Sequence, residues 1–77
     1  MNLKLVSELL IQSLEKRNLS PVAQEGKIIR LEEGYVIEIE NPQLFKLIHQ
    51  GQVVAPFADT DELIEFIEMD KKLNAES

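Results

Sequence analysis

Seventy-seven residues with fourteen Asp and Glu against eight Lys and Arg, and no cysteine, describe one small acidic domain. It has no disulfide, zinc-thiolate site or catalytic thiol. A net charge of −6 opposes contact with nucleic acid or anionic membrane, since both are held through cationic side chains, while a hydrophobic share of 44% is enough for a core and speaks against native disorder.

No basic stretch leads into a long apolar run near Met1, and no apolar run approaches the ~20 residues that span a bilayer. The expected setting is therefore cytoplasmic.

The first predicted element is a helix from about Leu3 to Arg17. Asn2 is its cap, Leu3, Val6, Leu10 and Leu14 form its apolar stripe, Leu5 and Leu9 widen that stripe, and Ile11 falls off it. Asn18 suits a left-handed end, and Ser20-Pro21 forbids continuation because proline has no amide hydrogen and restricts the residue before it. Pro21 to Gly26 then reads as a short connection.

Lys27 to Glu40 is the clearest stretch, two Ile- and Val-rich runs around Glu32, Glu33 and Gly34. A three-residue loop with Gly34 in the left-handed region pairs Leu31 with Tyr35 and Ile29 with Ile37. That register gathers Ile29, Leu31, Tyr35, Ile37 and Ile39 on a core face and leaves Ile28, Arg30, Val36 and Glu38 on the other.

Asn41 to Gly51 fits a short helix over 42–50, capped by Asn41, with Pro42 at its first position and Gly51 past its end. A strand turning at Gln50-Gly51 is the alternative, opposed by the adjacent apolar pairs Leu44-Phe45 and Leu47-Ile48. Gln52 to Phe57 reads as a strand with Val53, Ala55 and Phe57 on one face and Pro56 confining it to an edge.

Asp59, with Glu62 three residues on, opens the last helix. Leu63, Phe66 and Ile67 form its stripe, extended by Ile64, Met69 and Leu73, and Asp61, Glu65, Glu68 and Lys72 line the opposite face. Residues 74–77 are expected to fray.

The predicted class is α+β over residues 1–77 as a single domain. A small antiparallel sheet of three strands, or four if 42–50 is extended, is packed by the N- and C-terminal helices in the order α-β-β-α-β-α. A helix, strands and a terminal helix are similar in order to double-stranded-RNA-binding domains, but the extra helix and the acidic charge leave that order without functional content.

No chemistry-bearing motif stands out. Asp59, Asp61 and Glu62 are explained as a capped helix start, without the glycine-bearing loop that wraps a calcium ion, so no metal or other cofactor is expected. His49, the single histidine, has no nucleophile beside it and reads as a surface residue at a helix end. Tyr35 reads first as a lid on one end of the core and second as a contact residue.

The reading that remains is a non-enzymatic protein-interaction module, acting as a regulator, assembly factor or accessory subunit. Its partner would be a protein, basic in one version, or a second copy through the sheet, with contacts drawn from Ile28, Val36, Val54, Tyr35, Glu38, Glu65 and Glu68. An acidic inhibitor that mimics nucleic acid is the competing reading, and a small metal-dependent enzyme the weakest.

Overall fold

Residues 3–19 and 21–76 are described in a computed structural model of the chain. The apolar spacing of the first segment winds it into α1 (Leu3–Lys16), with Val6, Leu10 and Leu14 buried. Its end is closed as the sequence implies. Asn18 takes φ 61°, its amide donates to the Glu15 carbonyl, and the Leu19 amide reaches back to the Leu14 carbonyl at 2.8 Å. Leu14 and Leu19 are both buried, which completes the hydrophobic contact of this type of helix stop. The expected cap, Asn2, lies outside the described residues.

The rotation of α1 differs from expectation. Leu5 and Leu9 are about half exposed, at 48% and 51%, while Ile11 packs against the core. Ser7 explains the turn of the helix. It is 1% exposed and accepts a hydrogen bond from the Gln24 side chain, so the contact stripe runs through Val6, Leu10 and Ser7 and past Ile11, leaving Leu5 and Leu9 behind it.

Gln24 belongs to an element the sequence reading took for a connection. Ala23–Glu25 forms β1, antiparallel to β2 (Ile28–Arg30), joined through Gly26 at φ 57°. Three residues are too few to show a period, and only the pairing of Gln24 with Ile29 reveals the strand.

The central hairpin has the expected register. Ile29 pairs with Ile37, and the Leu31 amide donates to the Tyr35 carbonyl at 2.8 Å. Its three-residue loop, Glu32–Gly34, holds Glu33 at φ 64° as well as Gly34 at φ 84°. The core face is as read, with Ile29, Leu31, Tyr35, Ile37 and Ile39 all buried.

The predicted short helix over 42–50 is instead β4 (Leu44–His49), antiparallel to β3 (Tyr35–Asn41). Asn41 and Pro42 suit a tight turn as well as a helix start. Here the Asn41 side chain accepts the Gln43 amide at 2.8 Å and reverses the chain. The apolar pairs that argued against a strand reflect a strand with apolar residues on both sides. Phe45 and Leu47 are buried beneath the helices, while Leu44 and Ile48 are half-buried on the other face.

At the far end Gln50 and Gly51 take φ 55° and 81°, the two positive values that a two-residue type I′ turn needs. Gln50→Asn, which tolerates this region better than glutamine, is expected to stabilise the fold by about 0.5 kcal/mol. A rise in the urea midpoint at unchanged slope would show it.

β5 (Gln52–Phe57) completes a five-stranded antiparallel sheet in sequential order, at whose edge Pro56 sits as expected. A register shift between Leu47 and Ile48 moves Val53 opposite Ile48. Ala55 and Phe57 therefore face the core, but Val53 does not, and it is 61% exposed. Asp59 caps α2 (Thr60–Glu76) by accepting the Asp61 amide at 2.7 Å. Leu63, Ile64 and Ile67 are buried, whereas Met69 and Leu73, expected to extend that stripe, are 65% and 63% exposed. Residues 74–76, expected to fray, instead continue α2 to Glu76, and Ser77 lies outside the described residues.

The observed order is α-β-β-β-β-β-α, with one core cluster joining both helices to the same side of the sheet. Phe57 on β5 meets Phe66 on α2 with ring centroids 5.5 Å apart. Among the described residues no helix is long and apolar enough to cross a membrane.

Candidate functional site

Because both helices pack on one side of the sheet, its other side has no layer over it among the described residues. Strand alternation and pairing assign that side. One row across the five strands is Ala23, Arg30, Val36, Ile48 and Val53, and the next is Glu25, Ile28, Glu38, Lys46 and Pro56. Val54, the extra residue of the bulge on β5, is 44% exposed beside Val53. Ile28, Val36 and Ile48 are half-buried.

Charges border this apolar strip. Lys46 Nζ lies 2.8 Å from Glu40 Oε1, and Lys27 Nζ lies 4.0 Å from Glu38 Oε2. The hydrogen bond between Glu40 and Lys46, with their mutual attraction, holds the Glu40 carboxyl below its usual range and the Lys46 ammonium above its own. The pair's contribution to stability is present above the ordinary glutamate range. It fades as pH falls through Glu40's lowered value, and at the alkaline end only as pH rises through Lys46's raised one. In Lys46→Met the titration midpoint of the Glu40 carboxyl, followed by NMR, is expected to move upward toward that of a free glutamate.

A second feature lies at one end of the core. Tyr35 is 1% exposed, and its hydroxyl donates to Asp70 Oδ2 on α2 at 2.5 Å. Its ring stacks on that of His49, its cross-strand partner, with centroids 4.1 Å apart and planes within 6°. His49 Nε2 lies 3.1 Å from the Glu33 carbonyl, which can only accept, so this nitrogen donates. His49 thus ends a strand, not the helix expected for it. Glu33, His49, Gln50 and Asp70 surround the open side of this corner, and none of them is a nucleophile of the hydroxyl or thiol kind. Among the described residues no three His, Asp or Glu side chains are grouped to hold a metal ion.

The residues singled out from the sequence separate into three places. Ile28, Val36, Val54 and Glu38 share the uncovered face. Tyr35 is inside the core. Glu65 and Glu68 lie exposed on α2, in the helical layer behind the sheet. There Glu68 Oε1 meets Arg17 Nη1 at 2.9 Å, and this hydrogen bond is the main reason the Arg17 pKa is raised.

No family model, curated protein or solved structure matches this chain. The surface itself is then the ground for a functional reading. Sequence reasoning missed Leu44, Lys46, Ile48 and Val53 as members of the uncovered face, because 42–50 was read as helix and the bulge was not foreseen. The adjacent pairs Leu44-Phe45 and Leu47-Ile48 were the available signal, since a strand with two apolar sides must contain such pairs.

Proposed function

We propose that this protein is a non-enzymatic interaction module, a small regulator, assembly factor or accessory subunit of the cytoplasm that docks on protein through the uncovered side of its sheet. The observation that carries this reading is the strip formed by Ile28, Val36, Ile48, Val53 and Val54, which no element among the described residues covers. Sheets that keep one side in water normally carry polar residues there, and contiguous apolar side chains in that position favour burial against another surface.

The reading as a nucleic-acid mimic has less support. Asp61, Glu65 and Glu68 span only about 10 Å along α2, Arg17 neutralises Glu68, and Lys71 and Lys72 interrupt the acidic run.

The test compares proteins captured from the native host by the wild-type chain, by Val53→Lys/Val54→Lys on the uncovered face, and by Glu65→Lys/Glu68→Lys on α2. Both pairs are exposed, so thermal melts are expected to stay within a few degrees of wild type. Loss of binding confined to the first variant supports the proposal. Identical capture by all three would remove it.

A further inference from the structure

Building on the proposed docking role of the uncovered sheet face, we infer that its occupant is a second copy of this chain, related by a two-fold axis and packed face to face. The edges of the sheet are poor routes to association. β1 has three residues, and β5 is interrupted by Pro56 and by the bulge at Val53-Val54, both devices that discourage strand addition. The face is the route left open.

Its charge selects the partner. Lys27, Arg30 and Lys46 stand on this side with Glu25, Glu38 and Glu40, three of each sign, so the face is neutral on a chain of net charge −6. The surplus lies elsewhere. Segment 60–76 alone has Asp61, Glu62, Glu65, Glu68, Asp70 and Glu76 against Lys71 and Lys72. A basic partner would be drawn to that helix and not to the balanced face. A two-fold contact places a patch against itself, which requires a patch holding both signs with little net charge. This face meets that condition, and the acidic α2 helices end up on the outer sides of the pair, far from each other.

The layout and size also fit. Val36, Ile48 and Val53 supply an apolar row, with Arg30 at one end of it and the charged pair Glu38 and Lys46 in the row beside it. Strands of 3, 3, 7, 6 and 6 residues, at about 3.4 Å per residue and about 4.8 Å apart, give a footprint of about 400 Å², so two faces bury roughly 800 Å². That is the size of weak, transient contacts, so the dimer is expected to dissociate in the upper micromolar range.

The experiment is sedimentation velocity on the full chain from about 1 μM to 1 mM, a range that brackets such a dissociation constant. The mass is expected to rise from 8.8 kDa to twice that value. Val53→Glu/Val54→Glu is expected to remain a monomer at the highest concentration. Lys46→Glu, which makes the neutral face acidic without touching the apolar strip, is expected to weaken association at least tenfold, whereas Glu65→Lys/Glu68→Lys leaves it unchanged. Each variant's melt verifies that it is folded. A dimer that persists in Val53→Glu/Val54→Glu overturns the assignment to this face. A monomer at every concentration overturns the second copy as occupant. If that monomer still captures another protein through the face, the docking role stands, and if it captures none, both ideas fall.

Discussion

Ile37→Ala is expected to destabilise the domain by about 3 kcal/mol, the usual cost of removing three buried carbons from a site that cannot collapse. Ile37 has no exposed surface and stands on the central strand, paired with Ile29 on one side and Leu47 on the other, both equally inaccessible. With neighbours fixed by the ladders on both flanks and helices above, the void cannot be closed by local movement. For a chain of this length that cost corresponds to a fall of roughly 12 to 24 °C in Tm. Val36→Ala, one residue away on the uncovered side, is expected to cost about 1 kcal/mol or less, because solvent already reaches it. Equal losses from the two substitutions, measured by urea unfolding, would mean that the sheet does not have one packed side and one open side.

Tyr35→Phe is expected to cost about 1.5 kcal/mol through loss of the hydrogen bond to Asp70, without a change of packing volume. The bond ties the first residue of β3 to the second half of α2. If it acts as a tie, Tyr35→Phe and Asp70→Asn will be non-additive, with a coupling of about 1 kcal/mol in a double-mutant cycle. Simple additivity would show that the two groups contribute independently. The ring itself remains in Tyr35→Phe, so the stack on His49 is kept and the experiment isolates the hydroxyl.

The parts of the fold that were legible from sequence are those where period and turn chemistry agree. The helix through Val6, Leu10 and Leu14, its stop at Asn18, the Ile29 to Ile37 register and the cap at Asp59 all follow from spacing and from residues whose side chains or backbone freedom suit one local geometry. Legibility failed where a segment serves two surfaces. Leu44 to His49 carries apolar residues on both sides, which blurs the alternation of a strand. Asn41-Pro42 begins turns and helices alike, and only the pairing with β3 decides between them. Ala23–Glu25 is too short to have a pattern, and its absence from the sequence reading in turn misplaced the rotation of α1, since Ser7 finds its partner on that strand.

The candidate surface was half visible for the same reason. Ile28 and Val36 could be named as surplus apolar positions once the hairpin register was known, and Val54 from the alternation of Gln52 to Phe57. Ile48 and Val53 could not, because one depends on the nature of β4 and the other on a one-residue slip in β5.

The sequential order of the sheet also bears on how the chain reaches this state. Every strand bonds to the one made just before it, so the ribbon needs only short loops to close, and such local assembly is kinetically undemanding. α1 is different. Its contact with α2, marked by Arg17 and Glu68 fifty-one residues apart, joins two helices with the whole sheet between them in sequence. During synthesis α1 must therefore wait, its oily side only partly sheltered, until α2 has left the ribosome.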